Sequence, residues 1–117
     1  MMQTEFQPAI LDRMFHALAD STRRDLVDRL SAGPTSVKEL AAPFAMALPS
    51  VMKHLAVLES GGLVQSDKTG RVRTYRMTPD ALTMIERWVA VRKAAWNRRF
   101  DQLESFLAEE AHEGEQA

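Results

Sequence analysis

The stretch from Asp80 to about Glu110 contains neither glycine nor proline. Its apolar residues recur at steps of three, four and seven, which predicts one long amphipathic helix: Leu82, Ile85, Val89, Trp96, Phe100, Leu103 and Leu107. Thirty helical residues span roughly 45 Å, whereas a domain of this size has a radius of gyration of only about 13 Å. This helix is longer than the core against which it can pack, and its apolar stripe continues along the extra length. The stripe therefore predicts a partner, and the simplest partner is a second copy of the chain. The alternative is two shorter helices that fold back on the core.

Composition excludes several classes of protein. Hydrophobic residues make up 45% of the 117 residues and charged residues 26%, as in a globular domain. No apolar run approaches the roughly 18 residues of a membrane span, and the first residues lack a signal-peptide pattern. The chain has no cysteine, which excludes disulfides, thiolate metal ligands and cysteine nucleophiles. These observations predict one cytoplasmic domain.

The net charge of −1 hides a strong segregation along the chain. Residues 48–76 carry five basic side chains and two acidic ones, and residues 86–100 carry five basic side chains and one acidic one. Residues 101–117 carry six acidic side chains and no lysine or arginine. A local basic region is compatible with DNA contact. The alternative is that these charges only solvate exposed faces.

Helix signals precede the long segment. Residues 10–19 have helical apolar spacing, and Asp20 stands at an N-cap position before "STRRDLVDRL", which ends at Gly33-Pro34. Thr35 or Ser36 can cap a short helix that Pro43 ends. A further helix follows in "LPSVMKHLAVLES", with proline in its first turn and two glycines at its end.

The residues after these glycines change to a period near two. The runs "LVQSDK" and "RVRTYRM" flank "TG", which predicts a β-hairpin with Gly70 in its turn. "TPDAL" then begins the long helix, with Thr78 as its cap and Pro79 in its first position.

The order of elements predicts a mainly α fold with a small β-hairpin, a winged helix-turn-helix. We expect a single domain with a DNA-binding core at about 10–78, a dimerisation helix at about 79–110 and a disordered acidic tail at 111–117.

The helix that contains "LPSVMKHL" has an unusual outward face. Val51, Leu55 and Leu58 form its apolar stripe, and Lys53 points almost directly away from them. Apart from Lys53 this face is small and uncharged, which suits a helix that enters the major groove with its first residues. The hairpin carries cations where a wing meets the DNA backbone or minor groove. The predicted DNA-binding residues are Ser36, Pro49, Ser50, Lys53, His54, Lys68, Thr69, Arg71, Arg73 and Tyr75.

Three successive segments, "ALADSTRRDLVDRL", "SVKELAAPFAMALPSVMKHLAVLESGGLV" and "GRVRTYRMTP", resemble the signatures of ArsR-type winged-helix repressors. The resemblance covers roughly residues 11–79, and "WNRRFDQLESFL" is similar to the last helix of one subgroup. It implies a homodimeric bacterial repressor, built on its first and last helices, that binds an inverted repeat. The interface residues that we predict on this basis are Leu11, Met14, Phe15, Ile85, Trp88, Val89, Trp96, Phe100 and Leu103.

The chain also departs from this family. Metal-sensing members often carry a Cys-x-Cys pair after the "EL" of the third helix, where this chain has "AAP", and the three histidines are isolated. Ala47 replaces the usual serine cap, and Met52 replaces a common serine. For His54, a bond to a backbone group or a phosphate is favoured over reading of a base. We therefore predict neither a metal nor any other cofactor.

No set of titratable residues has the spacing of a nucleophile and its base, so an enzyme is not expected. We predict a DNA-binding transcriptional repressor that acts as a homodimer and does not respond to metals. Two alternatives remain. One is a winged helix that docks a protein partner, and the other is a sensor of a small ligand in the dimer cleft.

Overall fold

The computed structural model describes residues 8–116, with side chains described through residue 114. These residues fall into two compact units, divided between Ile85 and Glu86. The elements in chain order are α1 (Pro8–Leu18), α2 (Ser21–Leu30), β1 (Thr35–Ser36), α3 (Val37–Ala41), α4 (Leu48–Ser60), β2 (Val64–Thr69), β3 (Val72–Met77) and α5 (Thr83–Gln116). The predicted mainly α fold, with its hairpin and long last helix, is confirmed.

The predicted caps position the short helices. The carboxylate of Asp20 accepts a hydrogen bond from the backbone N–H of Arg23 at 3.0 Å, so it caps α2. Ser36 caps α3 by accepting from the N–H of Glu39 at 3.3 Å, and Ala47 gives α4 no side-chain cap. Gly62 ends α4 in the left-handed conformation, with φ of 76°, which glycine adopts without strain.

The three strands form one antiparallel sheet in the order β1-β3-β2. The pairing of Thr69 with Val72 leaves Gly70 and Arg71 as a two-residue turn, and Gly70 has a φ of 63°. Strand β1 was not predicted, because two residues are too few to show an alternating pattern.

The core of residues 8–85 is apolar throughout. Leu26, Leu40, Leu55, Leu58 and Leu63 are fully buried, and the buried residues include no polar or charged side chain other than the phenol of Tyr75. In the described part of the chain, every buried side-chain nitrogen and oxygen has a hydrogen-bond partner. This core fixes one face of α4, so that the opposite face stays available.

The long helix begins later than predicted. Asp80 has a φ of 57°, and the segment before α5 forms turns in which Ala81 N–H donates to Thr78 O and Thr83 N–H donates to Asp80 O. Aspartate tolerates this left-handed conformation better than most residues do. The helix therefore begins at Thr83, and Thr78 is not its cap.

Helix α5 also ends later than predicted. It continues to Gln116, whereas the sequence predicted disorder at 111–117; Ala117 lies outside the described residues. Alanine and glutamate dominate residues 108–113, and both favour helix. Across residues 8–116, no helix is both long enough and apolar enough to cross a membrane.

Candidate nucleic-acid interface

Helix α4 presents two chemically different faces. Val51, Leu55 and Leu58 are fully buried in the core. Pro49, Ser50 and Lys53 are exposed, as the sequence predicted. Among the residues of the first turns, Ser50 offers a hydroxyl and Lys53 a positive charge, and neither has an acidic neighbour in this part of the helix. This face can approach phosphates and base edges without charge repulsion.

Met52 adds an exposed apolar side chain at the flank of this face. Its side chain is 41% exposed, next to Lys53. An apolar group here matches the methyl group of thymine better than it matches a polar base edge. This residue was not among the predicted DNA-binding residues.

His54 is held by side chains from another helix. Its Nδ1 lies 3.2 Å from a terminal nitrogen of Arg23 and 3.8 Å from a carboxylate oxygen of Asp20. The guanidinium of Arg23 has no acceptor atom, so it donates and Nδ1 accepts. Nε2 is left to meet another group, and the backbone or phosphate partner expected for His54 stays a prediction.

Arg23 also connects α4 to the end of α1. Its Nε donates to Ala17 O at 2.7 Å, and its second terminal nitrogen donates to His16 O at 3.0 Å. Its backbone N–H, together with its positive charge, lowers the pKa of the Asp20 carboxyl below the usual value. Arg23 was not singled out in the sequence analysis. Its position three residues after the capping Asp20 indicates that its backbone N–H bonds to that carboxylate.

Ser36 lies at the N-terminus of α3, where its hydroxyl is already engaged. It donates to the Glu39 carboxylate at 2.9 Å and accepts from the Glu39 N–H, so it caps the helix. A DNA contact from Ser36 would compete with this cap. Its role in DNA binding stays a prediction.

The tip of the hairpin carries the exposed cations. Lys68, Thr69 and Arg71 are all exposed at or beside the turn. Arg73 is half-buried, and it donates to Ser66 Oγ at 2.9 Å across the two strands. Arg76 is paired with Asp67 and also donates to Gln65 at 2.7 Å. The free charge of the wing is therefore concentrated at Lys68 and Arg71.

Tyr75 does not face solvent. It is 5% exposed and belongs to the core cluster, and its strand β3 packs against α2 and α3. Burial raises the pKa of its phenol above the usual value. The prediction that Tyr75 contacts DNA is therefore wrong.

The predicted interface residues on α1 and on α5 differ in how far they are exposed. On α1, Leu11 and Met14 are buried in their own chain, which contradicts their placement at an interface, and Phe15 is 42% exposed. On α5, Ile85 packs against the core, and Trp88 lies under the guanidinium of Arg92 at 4.5 Å.

Further along α5 the predicted interface residues are exposed. Val89, Trp96, Phe100 and Leu103 each expose 40% or more of their surface. The rings of Trp96 and Phe100 stack with their centroids 6.1 Å apart. These four residues stay predicted interface residues.

No group of three or more histidine, aspartate or glutamate side chains is arranged to hold a metal within residues 8–114.

Comparisons with known proteins agree with this geometry. A family described as a helix-turn-helix domain matches residues 18–67. The transcriptional regulator Rv2034 of Mycobacterium tuberculosis is 42% identical over 74 residues, which cover 63% of this chain and 69% of that protein. The crystal structure of the ArsR family transcriptional regulator RHA00566 has 46% sequence identity and a TM-score of 0.75, over 83% of this chain and 97% of that one.

A solution structure from Mycobacterium bovis is also similar. It is the homodimeric winged helix-turn-helix DNA-binding domain of Mb0332, with 28% identity and a TM-score of 0.59, over 80% of this chain and 91% of that one.

Proposed function

Because this chain belongs to the ArsR family of winged helix-turn-helix transcriptional regulators, we propose that it represses transcription as a homodimer bound to an inverted-repeat operator. The family comprises DNA-binding regulators and not enzymes. The proposal places the protein in the cytoplasm, where bacterial DNA lies, and assigns it no metal cofactor.

The observation that carries the proposal is the outward face of α4. Ser50 and Lys53 stand exposed in its first turns while the opposite face is buried in the core. A serine hydroxyl can donate to or accept from a base edge, and a lysine can donate to the O6 and N7 atoms of guanine. In this assignment Ser50 and Lys53 read sequence, while Lys68 and Arg71 at the wing tip attract the phosphate backbone.

The homodimer supplies the operator symmetry. Two copies related by a twofold axis present two α4 helices, and half-sites one helical turn of DNA apart are separated by about 34 Å. The exposed apolar side chains of α5 support this assembly, as does the homodimeric state of the similar Mycobacterium bovis domain. Repression then needs only occupancy, because a dimer bound across a promoter excludes RNA polymerase.

Selection of genomic fragments by the purified protein tests the proposal. We expect the retained fragments to share an inverted repeat, and fluorescence anisotropy to show tighter binding to that repeat than to a scrambled duplex of equal length. Added zinc, cadmium or arsenite at low micromolar concentration should leave the affinity unchanged. Equal affinity for both duplexes would contradict the proposal and favour a winged helix that docks a protein. Release of the operator by a small organic molecule would favour the ligand sensor.

A further inference from the structure

Helix α4 carries two large apolar side chains that the core does not use. Leu48 and Met52 are 38% and 41% exposed, and neither belongs to the apolar core of residues 8–85. They are four residues apart, so at about 100° per residue they lie within about 40° of each other, one turn apart on the same side of the helix. The first two turns of α4 therefore present a short apolar row to solvent.

This row lies at the end of α4 that meets DNA in the function proposed above. Residues near the N-terminus of a recognition helix are the ones that reach base edges, and Met52 stands between Ser50 and Lys53 in the sequence. On the helix Met52 lies about 100° from Lys53, and Leu48 lies further toward the core. The row is therefore one flank of the surface that enters the major groove, beside the polar residues already assigned to it.

The major groove offers one kind of apolar group to such a row. Thymine presents the methyl group on its C5 atom, whereas the other three bases present hydrogen-bonding groups there. A thioether side chain is flexible and polarizable, so it adapts to the shape of a methyl group. Met52 beside the amino group of a cytosine would leave that donor without a strong acceptor, which weakens binding. The chemistry of the row therefore favours thymine.

The spacing of the row allows two such contacts in one half-site. Leu48 and Met52 are about 6 Å apart along the helix axis, and neighbouring base pairs stack about 3.4 Å apart. The two side chains can therefore meet the methyl groups of thymines that are one or two base pairs apart.

We propose that Met52 selects thymine at one position of each operator half-site by contact with its C5 methyl group, and that Leu48 contributes at a neighbouring position. This selection rests on the operator binding by α4 proposed above and names a base that the helix reads. Ser50 and Lys53 meet hydrogen-bonding groups of other base pairs, so the apolar and polar contacts specify different positions of the half-site.

Single thymine-to-uracil replacements in the operator test this contact. Uracil lacks only the C5 methyl group and keeps its pairing with adenine, so each replacement removes one methyl group from the groove. Selection from genomic DNA supplies the operator, and fluorescence anisotropy measures the affinity of each duplex with one uracil. We expect a loss of about 4-fold at the position that Met52 contacts, which is the effect of one buried methyl group.

A variant identifies the side chain that meets this methyl group. Met52→Ala should abolish the difference between the thymine and uracil duplexes at that position, because the methyl group no longer has its apolar partner. Met52 lies outside the core, so the urea midpoint of the variant should match that of the unaltered protein. Val72→Ala removes an exposed apolar side chain from the hairpin and is the matched control, which should retain the 4-fold difference.

The outcomes separate the thymine contact from the proposed function. If the unaltered protein prefers its operator to scrambled DNA but tolerates every uracil, the contact is overturned and the proposed function stands. A difference that persists in Met52→Ala would assign the methyl group to another residue and would also overturn the contact. Equal affinity of the unaltered protein for operator and scrambled duplexes would contradict the proposed function itself, and the contact with it.

Discussion

The two compact units of this chain differ in where their large apolar side chains lie. In residues 8–85 the large leucines Leu26, Leu40, Leu55, Leu58 and Leu63 are fully buried, and each short helix contributes to one core. In residues 86–116 the apolar residues Val89, Val91, Trp96, Phe100, Leu103, Phe106 and Leu107 are all exposed. The first unit is therefore stabilised by apolar packing within its own chain. The second is stabilised, in the proposal made here, by a second copy of itself.

The comparison also separates the two uses of charge. In the first unit, Arg23, Arg73 and Arg76 are held by hydrogen bonds within the chain. Lys53, Lys68 and Arg71 are exposed, and no hydrogen bond or ion pair within residues 8–114 engages them. The second group has no partner within the described chain and is the better candidate to meet phosphates or bases, while a DNA contact by Arg73 stays a prediction. Counting basic residues in the sequence does not distinguish the two groups.

Removal of a core side chain should produce the largest effect on stability. Leu55→Ala should lower the free energy of unfolding by about 2–5 kcal/mol, because it leaves a cavity among fully buried neighbours. The matched change in the second unit is Leu107→Ala, whose effect should diminish as the protein is diluted and the dimer dissociates. Urea denaturation at several protein concentrations measures both. An equal, concentration-independent loss for the two variants would remove the distinction between the units.

Lys53→Ala tests sequence reading by α4. We expect it to weaken operator binding by about 1–3 kcal/mol and to spare a scrambled duplex, because a base contact contributes only to the cognate sequence. Arg29→Ala, an exposed cation on α2, is the matched control and should leave both affinities unchanged. Fluorescence anisotropy on the two duplexes measures the difference. Unchanged operator affinity in the Lys53 variant would show that Lys53 does not read a base.

Arg71→Ala tests the wing. It should weaken binding to operator and scrambled DNA alike, and reduce the slope of log affinity against log salt by about one unit per protomer. Arg73→Ala should change this slope less, because the Arg73 guanidinium donates to Ser66. A salt titration of the two variants makes the comparison. Equal slopes would mean that Arg73 leaves Ser66 and contacts a phosphate in the complex.

Asp20→Asn tests the cap of α2 and should have the smallest effect. The folded chain lowers the pKa of Asp20 below its usual value of 3.8, so the unfolded chain binds the proton more tightly. The stabilisation by the ionised carboxylate is therefore fully present above the pKa of the unfolded chain and is lost as the pH falls through the lower pKa of the folded chain. Asparagine retains an acceptor for the cap but does not titrate. Urea midpoints between about pH 6 and about pH 3 should fall less in the variant than in the unaltered protein.

The order of helices and the hairpin were predictable because they depend on local signals. Asp20, Gly62 and Gly70 each mark a boundary through a backbone requirement that is visible in the sequence. The start of α5 was not predictable in the same way. "TPD" is typical of a helix start, but Asp80 adopts the left-handed conformation and delays the helix to Thr83.

The candidate site was predictable where periodicity determines exposure and not where packing between elements does. Lys53 lies opposite a clear apolar stripe, so its exposure followed from the helical wheel. Tyr75 shares a strand face with arginines, and its burial follows from the packing of β3 against α2 and α3, which the sequence does not reveal. The link from Arg23 to His54 joins residues 31 positions apart and required the fold.

That link has a consequence for genetics. Arg23 joins the last carbonyls of α1 to the imidazole of His54, so a substitution there alters the setting of α4 although Arg23 lies on another helix. A screen for derepressed mutants in a bacterial population should therefore recover alleles of residue 23 alongside alleles of residues 50 and 53. Such alleles would map, on the gene, well outside the segment that encodes α4.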